Sequence, residues 1–355
     1  MKLTEAAKYL ADKRVLVTGH TGFKGTWLTL LLEEFRAEVW GLALKAEKDS
    51  LYSRLNREGA IPEEFIDIRD QKKLTDFFER CRPELVFHLA AQPLVLESYR
   101  DPVATLETNI MGTANVIQKS IDAQTPKVIA VITTDKVYSN ENLGKRFIET
   151  DALGGKDPYS ASKVGAEAVV SAFQSLGKVT KIPKIVSFRA GNVIGGGDFA
   201  ENRLIPDIIR SIERNSVLEI RNPMHTRPWQ HVLDPISGYL RAAVSCVESE
   251  NFTSLNFGPN EKSLTVTEVV EAAESEYGSE LNTRVIVSEI MSMESVLLDL
   301  DSSLATKLLN WQPTWTQRES ISLTIRWWNM VLSGRSTPID ACRSDIKEFL
   351  SKNGF

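Results

Sequence analysis

The segment Arg14-Val-Leu-Val-Thr18 runs straight into Gly19-His-Thr-Gly22-Phe-Lys-Gly25, and a helical pattern follows without a gap. Trp27, Leu28, Leu31, Leu32 and Phe35 recur at helical spacing after that turn. A strand, three glycines at intervals of three and a helix leave few folds open. Glycine permits a tight turn and lets backbone approach a ligand closely. The helix that follows turns its free N–H groups and the positive end of its dipole toward an anion. The order therefore predicts a pyrophosphate cradle at the edge of a parallel sheet, in preference to a plain Gly-rich connection.

The rest of the first half repeats the theme. Glu38-Val-Trp-Gly-Leu-Ala43 reads as a second strand. Further strands are predicted over 65–67, 85–89, 128–133 and 184–189, with helical patterns over 71–81, 103–123 and 162–176 between them. Strand then helix, repeated, argues for a parallel sheet covered on both faces. After about Gly191 the texture changes to shorter elements punctuated by glycine and proline, with helical patterns over 233–248, 266–277 and 317–332. The expected fold is α/β: a Rossmann-like doubly wound parallel sheet with a smaller, mixed α/β C-terminal substrate domain. Residues 1–191 form the dinucleotide-binding part, to which about 229–250 return, and 192–355 mainly bind substrate.

Composition narrows the function. A net charge of -5 over 355 residues disfavours general nucleic-acid binding, which needs a basic face. It leaves room for a small anionic ligand held by a few local Arg or Lys. Cys81, Cys246 and Cys342 lie far apart with no metal-type spacing, so reduced packing residues and no metal site are expected. The N-terminal stretch has acidic residues and no apolar core of signal-peptide length. No apolar run approaches the ~18 residues of a spanning helix. A cytoplasmic protein that does not enter a membrane is expected.

Two clusters carry chemistry. Tyr159-Ser-Ala-Ser-Lys163 places a phenol and an ammonium four apart on a predicted helix, so both address one ligand. The positive charge is expected to favour the phenolate and make Tyr159 a base. Thr133-Thr-Asp-Lys-Val-Tyr138 closes the fifth predicted strand, and the carboxyl ends of parallel strands are where open sheets bind ligands. An acid and a base side by side there suit proton transfer. At the adenosine end no carboxylate closes Leu42-Ala-Leu-Lys45, and Lys45 suits a 2′-phosphate, so this feature leaves both NAD and NADP open. Asp67 reads either as an acceptor for adenine or as the cap of the helix at Gln71.

The segments Val17-Thr-Gly-His-Thr-Gly-Phe-Lys-Gly25, His88-Leu-Ala-Ala-Gln-Pro93, Thr134-Asp-Lys136 and Asp157-Pro-Tyr-Ser-Ala-Ser-Lys163 resemble those of the CDP-glucose 4,6-dehydratases, in the extended short-chain dehydrogenase/reductase superfamily. So do Arg189-Ala-Gly-Asn-Val-Ile-Gly-Gly-Gly-Asp198, Arg203-Leu-Ile-Pro-Asp207 and Arg227-Pro-Trp-Gln-His-Val232, and the likeness covers about residues 15–328. The glycine turn and Y-x-x-x-K specify only the superfamily; Thr-Asp-Lys and Arg-Pro-Trp-Gln-His-Val are more specific.

The resemblance implies an NAD-dependent hydro-lyase that converts CDP-glucose to CDP-4-keto-6-deoxyglucose. Oxidation at C4, loss of water across C5 and C6, and return of hydride to C6 leave no net consumption of cofactor. It implies that Tyr159, assisted by Lys163, takes the C4 hydroxyl proton and that Thr134 orients the C4 oxygen. Asp135 serves as acid toward the C6 hydroxyl. Lys136, where related 4,6-dehydratases carry glutamate, serves as C5 base, which requires a lowered pKa. Cofactor contacts are implied at Gly19, Thr21, Gly22, Phe23, Lys24, Gly25, Asp67, Ile68, Leu89, Ala90, Ala91, Thr108, Tyr159 and Lys163. Substrate contacts are implied at Gln92, Thr134, Asn192, Arg203 and Arg227, the two arginines suiting a diphosphate because a guanidinium engages its oxygens in pairs. Trp229 and His231 read as packing residues. Helices over 103–123 and 162–176 resemble those of four-helix interfaces, implying a homodimer or a dimer of dimers.

The chain departs from the family pattern at Leu96, where arginine is usual, and over residues 139–149, which lack the usual tryptophan and Tyr-Arg-Glu. Residues 144–148 are expected beside the active-site strand, where they would alter the sugar or base accepted. Two other readings remain: a nucleotide-sugar epimerase or reductase, which needs Tyr159 and Lys163 but no elimination pair, and a non-catalytic dinucleotide-binding protein, expected to lose one of the two. Asp135-Lys136 favours dehydration.

Overall fold

A computed structural model describes residues 1–141, 144–248, 252–286 and 298–355. Seven parallel strands form the central sheet: β1 (Arg14–Thr18), β2 (Glu38–Ala43), β3 (Glu63–Phe65), β4 (Leu85–His88), β5 (Val128–Ile132), β6 (Lys184–Ala190) and β7 (Ser254–Phe257). Their order across the sheet is β7-β6-β5-β4-β1-β2-β3. The chain winds outward one way from β1 and the other way from β4. The crevice between those two strands is the switch point where such sheets bind ligands.

Alternation along each strand explains why both faces are covered. Val15, Val17, Ala130 and Phe188 point into one apolar layer with helices Leu3–Leu10, Phe23–Glu34 and Leu233–Glu248. Leu16, Val86, Ile129 and Ile185 point into the other, with Leu74, Phe77 and Phe78 of helix Gln71–Cys81 and Val116 and Ile117 of helix Gly112–Asp122. A period of two with both faces apolar is the mark of an interior parallel strand. Helix Leu3–Leu10 docks because Leu3, Ala6, Ala7 and Leu10 form a single buried stripe.

Three expected elements sit differently. β3 ends at Phe65, opposite Ala43, two residues before the predicted end, because β2 has no further backbone to offer it. The helix expected over 103–123 is interrupted: Pro102–Leu106, then a wide π turn over Glu107–Met111, then Gly112–Asp122. Such turns commonly mark functional sites. The cap of helix Gln71–Cys81 is Asp70, whose carboxylate accepts from Lys73 N at 3.1 Å, so Asp67 is not the cap.

Beyond β6 the chain leaves the sheet to form helix Leu204–Arg214 and short strand pairs. Leu218–Ile220 runs beside Thr283–Val285, and Thr226–Arg227 lies against Leu264–Thr265. It then returns with helix Leu233–Glu248 and β7. Trp27 Nε1 donates to the Gly196 carbonyl at 3.1 Å, fastening the first helix to this excursion. Cys81, Cys246 and Cys342 are buried and not disulfide-bonded. Among the described residues no helix is long and apolar enough to cross a membrane.

Candidate active site

A cavity of about 820 Å³ lies along the carboxyl ends of the strands. One end is the glycine turn. Gly19 has φ +74 and packs so closely on β4's exit that a Cβ would stand 2.7 Å from Ala90 N. A Cβ on Gly25 would meet the Gly19 carbonyl at 2.1 Å. These two glycines make the turn possible. Gly22 has no such obstacle closer than 3.3 Å and lies exposed as N-cap of helix Phe23–Glu34, leaving bare backbone facing the cavity. That is the shape a dinucleotide pyrophosphate requires, and these residues would hold it. Thr21, Phe23 and Lys24 line the same end.

The other implied cofactor contacts form the walls. Leu89, Ala90 and Ala91 follow β4, and Ala90 N is fixed by Thr18 Oγ1 at 3.2 Å. Ile68 lines the wall, and so does Thr108, carried inward on the π turn. Asp67 also faces the cavity, but its carboxylate is held by the Arg69 side chain and by Arg69 N at 2.8 Å. Those bonds to Arg69 keep it below the usual carboxylate range. Gln92 is not on the wall. Its amide braces the loop instead, bonding Leu94 O at 3.1 Å, Thr105 Oγ1 at 2.9 Å and Leu94 N at 2.5 Å. Both Nε2 hydrogens are taken and Oε1 accepts one bond, so the structure shows Gln92 as a loop brace off the cavity wall, where the resemblance implied a substrate contact.

Past β5 the chain makes one 3₁₀ turn over Asp135–Val137, capped by Thr134. Thr134 Oγ1 donates to Asp135 Oδ1 at 2.9 Å and accepts from Lys136 N at 3.3 Å. Asp135 is buried, and its Oδ2 has no hydrogen-bond partner among the described residues. Burial raises its pKa against the opposing pull of Lys136, Thr134 and Arg227, which suits a proton donor. Lys136 lines the cavity next to it.

Helix Pro158–Leu176 supplies Tyr159 and Lys163. Its start is fixed by Asp157, whose Oδ1 accepts from Ser160 N at 2.9 Å, and by Pro158 in the first turn. Tyr159 thus sits in the first turn of the helix, near enough to Thr134 for that hydroxyl to influence its phenol. Its pKa is not depressed as expected from Lys163. Burial raises it to about 12, and the opposing influences are Thr134 and Arg203. Lys163 turns away to the Ile132 carbonyl, 3.3 Å from Nζ, and burial lowers its ammonium to about 8. In this state the pair is poised by burial more than by mutual attraction.

From the excursion come Asn192, Arg203 and Arg227, all on the cavity wall, with Trp229. Arg203 Nη1 lies 3.3 Å from Asp198 Oδ2, so it is both an ion-pair partner and a wall residue. Arg227 is buried, donating to the Thr226 carbonyl at 2.8 Å. His231 is buried between Trp27 and Trp315, a packing role. Leu96 lines the cavity, whereas none of the described residues in 139–149 does; Arg146–Phe147 pairs with Asp299–Leu300 instead. Asn142 and Leu143 of that stretch lie outside the described residues.

A network behind β5 is not anticipated by the motifs. Glu167, one helical turn after Lys163, accepts from Arg189 Nε at 2.9 Å, Arg189 Nη2 at 2.8 Å, Thr133 Oγ1 at 2.5 Å and Ser187 Oγ at 2.8 Å. Arg189 Nη1 also donates to Tyr138 Oη at 2.9 Å, and Tyr138 in turn donates to Asn256 Oδ1 at 2.7 Å. The turn after β5 is therefore clamped from both flanks, through Thr133 and through Tyr138. An acid four residues beyond Lys163 is the one signal in the sequence that points to it.

Known proteins place this geometry. The family model described as GDP-mannose 4,6 dehydratase matches residues 16–324. The CDP-glucose 4,6-dehydratase of Salmonella typhimurium is 40% identical over 348 residues, covering 96% of this chain and 96% of that protein. Among solved structures, UDP-glucose-4-epimerase from Stenotrophomonas maltophila, with bound NAD and formylated UDP-arabinopyranose, superposes with a TM-score of 0.80 at 20% identity, covering 91% of this chain and 100% of that one. A double mutant of DesIV, the dTDP-glucose 4,6-dehydratase of Streptomyces venezuelae, gives 0.78 at 21%, covering 89% and 97%. At such identities the structures share the fold alone; the sequence match reaches further, and the chain belongs to the GDP-mannose 4,6 dehydratase family, alongside the CDP-glucose 4,6-dehydratase of Salmonella.

Proposed function

We propose that this chain is an NAD-dependent nucleotide-sugar 4,6-dehydratase acting on CDP-glucose. The observation that carries the reading is Asp135. It is a buried carboxyl with a raised pKa and a free Oδ2, standing between Lys136 and the Tyr159–Thr134 pair at one end of the cavity. Epimerisation at C4 expels no hydroxide and calls for no acid at C6. The 40% identity with a CDP-glucose 4,6-dehydratase across nearly the whole chain supports the same substrate.

Bound NAD would accept hydride from C4 of the sugar and return it to C6, held by the Gly19–Gly25 turn and the wall formed by Leu89 to Ala91 and Thr108. Tyr159 takes the proton of the C4 hydroxyl, while Thr134 orients the oxygen that becomes the ketone. That ketone acidifies the C5 proton, and the Lys136 amine removes it. The C6 hydroxyl leaves as water with the proton from Asp135; Lys136 gives its proton back to C5 when C6 receives hydride, so the proton gained at O6 is matched by the one Tyr159 took from the C4 hydroxyl. Preorganised groups of this kind contribute about 10²–10⁴ each in rate. Arg203, Arg227 and Asn192 hold the diphosphate.

A homodimer is part of the reading. Tyr99, Val103, Leu106 and Met111 are exposed along helices Val95–Arg100 and Pro102–Leu106 and the π turn, beside helix Pro158–Leu176. Incubation with CDP-, dTDP-, UDP- and GDP-glucose tests the assignment. The CDP sugar is expected to lose one water and gain a C4 ketone; C4 inversion without water loss would sink the dehydratase reading.

A further inference from the structure

His88 closes β4 directly opposite Thr18, the last residue of β1, in the crevice where the glycine turn begins. It is buried, and the reaction above does not use it. Both ring nitrogens are engaged. Nδ1 lies 2.7 Å from Thr18 Oγ1, and Nε2 lies 3.0 Å from Oγ1 of Thr113 on helix Gly112–Asp122. The other bonds of those two hydroxyls decide which nitrogen carries the hydrogen. Thr113 gives its own hydrogen to the Asn109 carbonyl at 2.7 Å, so its oxygen accepts from the ring and Nε2 is the protonated nitrogen. Thr18 Oγ1 accepts from Ala90 N at 3.2 Å and keeps its hydrogen for Nδ1.

The line of bonds continues past Asn109, which stands in the π turn. Its amide nitrogen donates to the Gln92 carbonyl at 3.0 Å and to Ser162 Oγ at 2.8 Å, and its Oδ1 accepts from Gln92 N at 2.8 Å. Ser162 in turn donates to the Tyr159 carbonyl at 2.6 Å. The hydrogens therefore all point one way, from Ala90 on the cofactor wall through Thr18, His88, Thr113, Asn109 and Ser162 to Tyr159. Those five intermediates are buried and none lines the cavity. Burial, reinforced by the Lys163 ammonium, keeps the ring uncharged, with a pKa lowered to about 3. A hydrogen moved to Nδ1 would leave Thr18 without its acceptor and Thr113 without its donor, so only one tautomer completes the line.

The two ends of this line are the parts that must meet the same sugar carbon. Gly19 rests against Ala90, where an added Cβ would stand 2.7 Å from Ala90 N, so a shift of Ala90 is a shift of the turn. At the far end the Tyr159 backbone is tied to Ser162. A misplacement of about 1 Å between reacting groups can cost about 10² in rate.

We propose that His88 is a positioning residue, a single-tautomer bridge that holds the glycine cradle and Tyr159 in register for hydride transfer. This rests on the reading of the cradle as the cofactor's seat and of Tyr159 as the base. Because the bridge lies behind the wall, cutting it should slow chemistry and leave ligand binding nearly unchanged.

Thr113→Val keeps the side-chain shape and removes the hydroxyl. In stopped flow with saturating NAD and CDP-glucose, NADH formation should slow by about 10–10². KM for CDP-glucose and NAD affinity should change by less than about threefold. Thr113→Ser restores the hydroxyl and should recover most of the rate. An unchanged rate in Thr113→Val, even with a lower urea midpoint, makes the bonds a matter of stability alone and overturns the proposal. So does a serine variant as slow as the valine one. His88→Asn keeps an acceptor for Thr18 and loses Thr113, whereas His88→Gln keeps a donor for Thr113 and loses Thr18. Both should be slow, and wild-type speed in either would show that the line need not be continuous. If these two fail to fold, the Thr113 pair decides. Nitrogen NMR of the isotope-labelled full chain reads the ring without turnover. The histidine signals that move in Thr113→Val should show hydrogen on Nε2 alone and stay constant from about pH 6 to 9. Hydrogen on Nδ1, or titration in that range, overturns the bridge whatever the reaction. Absence of NADH from wild type with every nucleotide-glucose, alongside the expected ring signals, would count against the proposed reaction and leave the bridge standing.

Discussion

At the dinucleotide end of the cavity the wall is backbone; below β5 it is side chains. Gly19, Gly22 and Gly25 shape the first end, and a single added methyl at Gly25 would stand 2.1 Å from the Gly19 carbonyl. The second end depends on charge under burial, with Asp135 pushed up and Lys163 pulled down to about 8. One end is therefore sensitive to volume. The other tolerates isosteric change in shape and fails when one ionisable atom is exchanged. A cofactor that stays in place through the whole cycle calls for the first kind of wall, and a sugar that loses and gains protons calls for the second.

Four substitutions and one pair sharpen that contrast. The largest effect is expected from volume at the backbone end. Gly22→Leu has an ordinary φ of -75 and leaves the fold intact, yet fills the space above the helix start, so NAD binding should be lost in a fluorescence titration. Unchanged affinity would refute the cradle. Next, Tyr159→Phe preserves volume at the other end and removes the base. Appearance of NADH absorbance on mixing with substrate should slow by about 10²–10⁴. Asp135→Asn and Lys136→Met are also nearly isosteric. Each should form NADH and a 4-keto intermediate and release little 4-keto-6-deoxy product, with less solvent deuterium at C5 for Lys136→Met. Normal product release from both variants would remove the pair from the elimination.

Glu167→Gln tests whether the clamp behind β5 is structural. It leaves Arg189 buried without its counter-charge, for which about 3–5 kcal/mol of stability is expected to be lost, read as a lower urea midpoint. A shift under 1 kcal/mol would mean Tyr138 and the Glu149 carbonyl suffice for Arg189, whose Nη1 already reaches that carbonyl at 3.1 Å. The smallest effect belongs to Asp157→Ala, where loss of the cap over Ser160 N should cost about 1 kcal/mol. Its larger consequence should be for turnover, because Tyr159 is only two residues inside the helix.

What could be read in the sequence followed the same division. The glycine turn was legible because its chemistry is written in consecutive residues between a strand and a helix. Tyr159 and Lys163 were legible because helical spacing is fixed. The clamp was not, since Glu167, Arg189 and Tyr138 converge only after three elements have packed. Gln92 sits in a motif and still turns to Leu94 and Thr105, because loop backbone beside the π turn needed partners. Strand β7 escaped notice for a related reason. Asn256 breaks its apolar run and is buried only because Tyr138, Phe147 O and Glu149 satisfy it. Lys163 was expected to act on Tyr159, and burial proved the stronger influence on both.

Strand β7 reaches the sheet only after the chain has made its excursion through residues 191–232. During synthesis the sheet is thus left with β6 as a bare edge until Ser254–Phe257 emerges and pairs with Ser187–Ala190. A fragment ending at Gly191 would contain the whole glycine cradle, Tyr159 and Lys163, yet lack helix Leu233–Glu248, which covers one face of β5 and β6, and lack Asn256 beneath Tyr138. Such a fragment presents an unpaired parallel edge and an uncovered apolar face, the features that drive strand-to-strand aggregation. The dinucleotide half is consequently no detachable cassette. Its far edge and one of its faces are completed by the later segment, so truncation before Leu233 removes part of its own packing.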